Sequence, residues 1–83
     1  MSQRSRLKEN RPTFDAEAAG AFLRPERLRL RLSQRDVAAK ANVANQTVDN
    51  IEHGNGSVTV RKLEAVALAL DLDILTVVQR ATR

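Results

Sequence analysis

The side chains of this 83-residue sequence that can do specific chemistry are gathered in residues 33–54, and that chemistry is hydrogen bonding rather than bond breaking. Asn45, Gln46 and Asn50 are carboxamides. Each donates and accepts at once, which suits the edge of a nucleobase, adenine N6 and N7 above all. Thr47 offers a methyl for a thymine or a hydroxyl for a phosphate. Val48 and Ile51, three residues apart, turn to one side of a helix and leave Asn45, Gln46, Asp49, Asn50 and His53 for the other. Catalysis is not expected from this set: there is no cysteine, and the single histidine has no nucleophile and carboxylate arranged around it. Gly54-Asn55-Gly56 lacks the Lys-Ser/Thr ending of a phosphate-cradling loop. A structural zinc site needs cysteines or several histidines, so neither a metal nor another cofactor is expected.

These residues need short, well-capped helices to hold them. In Ser33-Gln34-Arg35-Asp36 the serine hydroxyl can take the free amide of Asp36 while the Asp36 carboxylate favours the positive helix end, so a helix starts at Gln34. Val37, Ala38 and Ala41 form its buried face. Asn42, which tolerates the left-handed conformation, ends it; Val43 plugs the turn, and Ala44 or Asn45 opens the next helix. Gly54-Asn55-Gly56-Ser57 reads as a loop. Thr59 then caps a helix whose Val60, Leu63, Val66, Ala67 and Leu70 keep the helical period until Asp71-Leu72-Asp73 breaks it. Upstream, Thr13 or Asp15 caps a helix through residues 16–21, and Pro25 is expected to kink or restart it, giving two pieces before Leu30. Residues 1–12 are polar and without periodicity, a flexible basic arm ahead of one domain in residues 13–83. Residues 74–79 are so rich in β-branched side chains that an extended strand fits better than a fifth helix.

Fourteen Lys and Arg against ten Asp and Glu give a net charge of +4. Residues 1–32 hold eight basic and four acidic side chains, and residues 33–83 hold six of each, so the excess lies ahead of the amide-rich helix. A basic segment on a balanced domain suits a polyanion, although a merely solvated tail has the same composition. A chain of this length is only marginally able to bury its own core, and with no disulfide or metal as a staple, self-association is the remaining device. Residues 70–83 are the expected dimerisation segment, with Leu72, Ile74, Leu75, Val77 and Val78 in the interface. The favoured form pairs a C-terminal strand with its two-fold mate. The alternative is a fifth helix there. The longest apolar run, residues 65–70, falls far short of the about 20 residues of a membrane span, so a cytoplasmic protein is expected.

Two short helices joined by a turn, the second presenting polar side chains, form the unit that lays a helix into the DNA major groove. Residue by residue, the stretch resembles the Cro and phage-repressor (XRE) helix-turn-helix family. The resemblance is carried by Ser33-Gln34, Val37-Ala38, Asn42-Val43, Gln46-Thr47-Val48, Ile51-Glu52 and Gly54, and extends to Gly20, Leu23 and Arg27 before them and Leu63, Ala67, Leu70 and Leu72 after. The chain departs from the family with Asn42 and Arg31 where glycine is usual, Ala44 in place of a Ser or Thr cap, Val58 in place of proline, and Pro25 in the first helix.

The resemblance implies an all-α bundle of about five short helices with a lambda-repressor-like core. It implies a transcriptional regulator, by expectation a repressor, that binds a palindromic operator in double-stranded DNA as a homodimer. Asn45, Gln46, Asn50 and Thr47 would meet bases along a recognition helix at residues 45–53. Gln34 and Ser33 would meet phosphate, Gln34 also bracing Asn45, and Arg27 and Glu52 would form a partly buried ion pair. Phosphate contact is also expected of Arg61 and Lys62, unless they are a solvated face. Asp49, a carboxylate toward DNA, is left without a role. Asp49 and the neutral charge of residues 33–83 favour a second reading, an antitoxin or antiactivator that uses the same fold to occupy a toxin or an activator protein.

Overall fold

The computed structural model describes residues 15–55 and 58–82. The arm at residues 1–12 and the cap candidate Thr13 lie outside them. Five helices follow one another: α1 (Ala16–Arg29), α2 (Gln34–Ala41), α3 (Asn45–His53), α4 (Val60–Ala69) and α5 (Ile74–Ala81). The described residues contain no β-strand ladder, and no helix is long and apolar enough to cross a membrane.

Each helix begins where a side chain can hold its first free amides. Asp15, Thr59 and Asp73 cap α1, α4 and α5 by accepting the amides of Ala18, Lys62 and Leu75. Ser33 and Asp36 form the reciprocal box at α2, Ser33 Oγ accepting the Asp36 amide at 3.0 Å and Asp36 Oδ2 accepting the Ser33 amide at 2.8 Å. Those bonds, the Ser33 amide foremost, hold the Asp36 carboxyl below its ordinary pKa. Only α3 starts without a side-chain cap, at Ala44.

Four of the five helices end in one geometry. At α1 the amides of Arg31 and Leu32 return to the carbonyls of Leu28 and Arg27. The same pair of bonds recurs at Asn42-Val43, Gly54-Asn55 and Asp71-Leu72. This is the Schellman closure, and it puts its first residue in the left-handed region: φ is 59° at Arg31, 56° at Asn42, 65° at Gly54 and 60° at Asp71. Leu32, Val43 and Leu72, the residues that follow in three of them, pack against the core.

Leu23, Val37, Val48, Ile51, Leu63, Val66, Leu70 and Val77 fill the centre. α1 packs on α3 and α5, and α2 on α3 and α4. Pro25 does not divide α1. Its exposed ring lies opposite the buried Leu23 and Arg27, and Ala21, whose carbonyl loses its amide partner, is itself exposed, so water can take the bond. The favoured strand at residues 74–79 is also corrected to a helix. Asp73 caps it, Val77 and Ala81 bury themselves one turn apart against the core, and the Asp15 amide donates to the Ala81 carbonyl. Burial of that face outweighs the modest strand preference of Ile, Thr and Val. Arg80 completes the junction, its guanidinium 5.3 Å from the centroid of the Phe22 ring.

Candidate nucleic-acid interface

Val48 and Ile51 anchor α3 in the core and leave Asn45 and Gln46 exposed on its outer side, with Thr47 and Asn50 half-buried. α3 is fixed from behind by backbone contact. A methyl on Gly20 of α1 would run into the carbonyls of Ile51 and Glu52, and one on Gly54 would meet the Glu17 backbone. Two glycines therefore let α1 lie directly against the end of α3.

An ion pair completes this junction. Arg27 donates Nε to Glu52 Oε2 and a terminal nitrogen to Oε1, the latter at 2.9 Å, while its other terminal nitrogen donates to the Leu32 carbonyl at 2.8 Å. The Arg27 side chain is 10% exposed and that of Glu52 4%. The bond to Glu52 is the main cause that raises the Arg27 pKa above its ordinary value, against the opposing effect of burial. Arg24, more exposed, brings its Nε to 3.9 Å from Glu52 Oε1.

Gln34 lies between this pair and the outer face. Its Nε2 donates to Glu52 Oε1 at 3.2 Å and to Asp49 Oδ1 at 3.1 Å, so its amide braces Asp49 rather than Asn45. Asp49 thereby acquires a role that its type alone did not suggest. It also lies 3.5 Å from Gln46 Nε2 and 3.3 Å from His53 Nδ1, and that ring nitrogen is 2.9 Å from the Asp49 carbonyl. Gln46 Nε2 donates to Asn50 Oδ1 at 3.0 Å. The spacing from Gln46 to Asp49 to His53 could have signalled this set, since residues three and four apart share a helix face.

Arg61 and Lys62 are exposed in the first turn of α4, and the Ser33 hydroxyl is occupied in the cap of α2. Of the side chains expected to pair two copies, Val77 belongs wholly to the core, and Leu72 and Ile74 are packed against it. Leu75 and Val78 remain outside, 64% and 37% exposed. Among the described residues no group of three or more His, Asp or Glu is placed to hold a metal.

The helix-turn-helix family model matches residues 23–77, well over half of the chain. The chain belongs to the helix-turn-helix family. No curated protein matches it in sequence. This helix-turn-helix chain is similar to the restriction-modification controller protein C.AhdI from Aeromonas hydrophila, with 26% identity and a TM-score of 0.70 over 75% of this chain and 94% of the other. It is similar to the clp gene regulator ClgR from C. glutamicum, with 29% identity and a TM-score of 0.69 over 80% and 86%. The controller protein C.Esp1396I, in its tetramer bound to a natural 35 base-pair operator, shares the fold at 21% identity with a TM-score of 0.69 over 81% and 88%.

Proposed function

We propose that this helix-turn-helix chain is a non-enzymatic, cytoplasmic transcription regulator that binds a palindromic DNA operator as a homodimer, with α3 in the major groove. The observation that carries this reading is the outer face of α3, where Asn45, Gln46 and Asn50 stand above a buried Val48 and Ile51 on a helix pinned by the Arg27–Glu52 pair. Thr47 stands beside them, its methyl for a thymine or its hydroxyl for a phosphate. At the start of α2 the main-chain amide of Gln34 and the hydroxyl proton of Ser33, with Arg61 and Lys62 at the start of α4, supply the phosphate contacts that fix register, the Gln34 side-chain amide being spent on Asp49 and Glu52. The likeness to C.AhdI and ClgR, a controller protein and a gene regulator, supports the regulatory reading, and the C.Esp1396I tetramer on its operator supports self-association on DNA. Two copies joined through Leu75 and Val78 of α5 would place two recognition helices about 34–36 Å apart along one face of the duplex.

The alternative of a module that occupies a toxin or an activator drew on Asp49 as a charge facing DNA and on the neutral balance of residues 33–83. The Asp49 carboxylate accepts from Gln34 and stands beside Gln46, which weakens the first of these supports. Fluorescence anisotropy with duplex DNA at two salt concentrations tests the proposal. Binding should weaken steeply with salt, and Arg61→Ala or Lys62→Ala should each lower the slope of log affinity against log salt by about one. Absence of binding at low salt would return the protein-binding reading to first place.

A further inference from the structure

Gln46 and Asn50 spend one half of each amide on the other. Gln46 Nε2 donates to Asn50 Oδ1, which leaves Gln46 Oε1 as an open acceptor and Asn50 Nδ2 as an open donor. Among the described residues neither of these atoms has a protein partner. Asp49 stands beside this pair, its Oδ2 3.5 Å from Gln46 Nε2. The carboxylate is itself held in place: Oδ1 accepts from Gln34 Nε2 at 3.1 Å and lies 3.3 Å from His53 Nδ1. Gln34 in turn is fixed to Glu52, which Arg27 clamps. A chain of side-chain bonds thus runs from the core to the outer face of α3.

A carboxylate can only accept, so any amide beside Asp49 must turn its NH2 group toward it. Turning the Gln46 amide over would set Oε1 against both Asp49 Oδ2 and Asn50 Oδ1, three acceptors with no proton among them. We infer that Asp49 is a positioning residue that sets base specificity, its carboxylate locking Gln46 and Asn50 into a composite acceptor-and-donor pair that selects adenine over guanine. This rests on the reading that α3 enters the major groove. Adenine presents there a donor, N6, beside an acceptor, N7, and guanine presents two acceptors, O6 and N7. Gln46 Oε1 accepts from adenine N6 while Asn50 Nδ2 donates to N7. At guanine, O6 faces Gln46 Oε1 acceptor to acceptor, and the amide cannot turn over to relieve it. With asparagine at position 49 the lock is gone. The new amide can donate to Oε1 of a turned-over Gln46, and Asn50 turns with it so that Nδ2 faces that oxygen. Gln46 Nε2 then offers guanine O6 a donor, while the Asn50 contact to N7 is given up.

The test is selection from randomised duplex DNA by the parent, Gln46→Ala and Asp49→Asn, followed by affinities for matched adenine and guanine duplexes. The parent should select an adenine at one position of each half-site, and Gln46→Ala should lose the preference there. Asp49→Asn should admit guanine at that same position, reducing an adenine preference of about tenfold to about two- or threefold. Asp49→Ser removes the carboxylate in another way and should relax the same position, which keeps the test open if one variant folds poorly. A merely structural role for Asp49 would move the melting temperature and leave the base ratio alone. An unchanged motif in Asp49→Asn overturns the lock while leaving DNA recognition intact. So does a change confined to a cytosine, which would mark Asp49 as a direct acceptor from N4. A parent that selects no motif overturns the lock together with the reading of α3 beneath it.

Discussion

Arg27 of α1 and Glu52 of α3 meet through two hydrogen bonds at a site where both side chains are almost wholly out of solvent, and Glu52 has Gln34 as a further donor. A desolvated pair of this kind adds little net stability, yet losing one member strands the other charge. Arg27→Ala and Glu52→Ala should each cost about 3 kcal/mol in thermal or denaturant unfolding, and the double variant should cost clearly less than the sum of the two. Simple additivity would show that the charges do not couple.

The four helix closures are alike in geometry but not in residue type, since only Gly54 carries the amino acid that the left-handed conformation favours. Arg31→Gly should therefore stabilise the protein by about 0.5–1 kcal/mol, the relief of left-handed strain exceeding the added chain entropy of glycine. Asn42→Gly should gain less, because asparagine visits this region more readily. Thermal melts of the two single variants give the ranking. A loss at Arg31→Gly would mean that the side chain makes a contact worth more than the strain.

Legibility in the sequence followed the range of the interactions. The box at Ser33 and Asp36, the stop at Asn42 and the cap at Thr59 are local and were plain from residue type and spacing, as was the buried stripe of Val48 and Ile51. The Arg27–Glu52 pair spans 25 residues, and it was approached only through resemblance to a family. The helical state of residues 74–79 is set by how Val77 and Ala81 meet α1, a tertiary fact that no local propensity contains. Pro25 misled for the same reason: the bond it removes lies on the wet side of α1. Asp49 was opaque because its partner Gln34 belongs to another helix, and a carboxylate without its partner reads as repulsion.

Leu75 and Val78 are exposed on α5 while Val77 between them is buried, so charges at the first two positions should disturb association and not the core. Leu75→Glu combined with Val78→Glu should halve the mass seen by light scattering at tens of micromolar, with helix content by circular dichroism retained. Operator affinity should fall with it, because each half-site is then bound alone. Leu28→Glu, at an exposed apolar residue of α1, should leave the mass unchanged. A double-glutamate variant that kept the parent mass would place the interface elsewhere.

The face of α3 is best judged by one ratio, the affinity for a selected operator divided by that for a scrambled duplex of equal length at the same salt. For the parent this ratio should be about a thousandfold or more. In the triple variant Asn45→Ala, Gln46→Ala, Asn50→Ala it should collapse toward one, while affinity for the scrambled duplex stays within a few-fold of the parent because Arg61, Lys62 and the helix starts still meet phosphate. A triple variant that discriminated as well as the parent would show that some other element reads the bases.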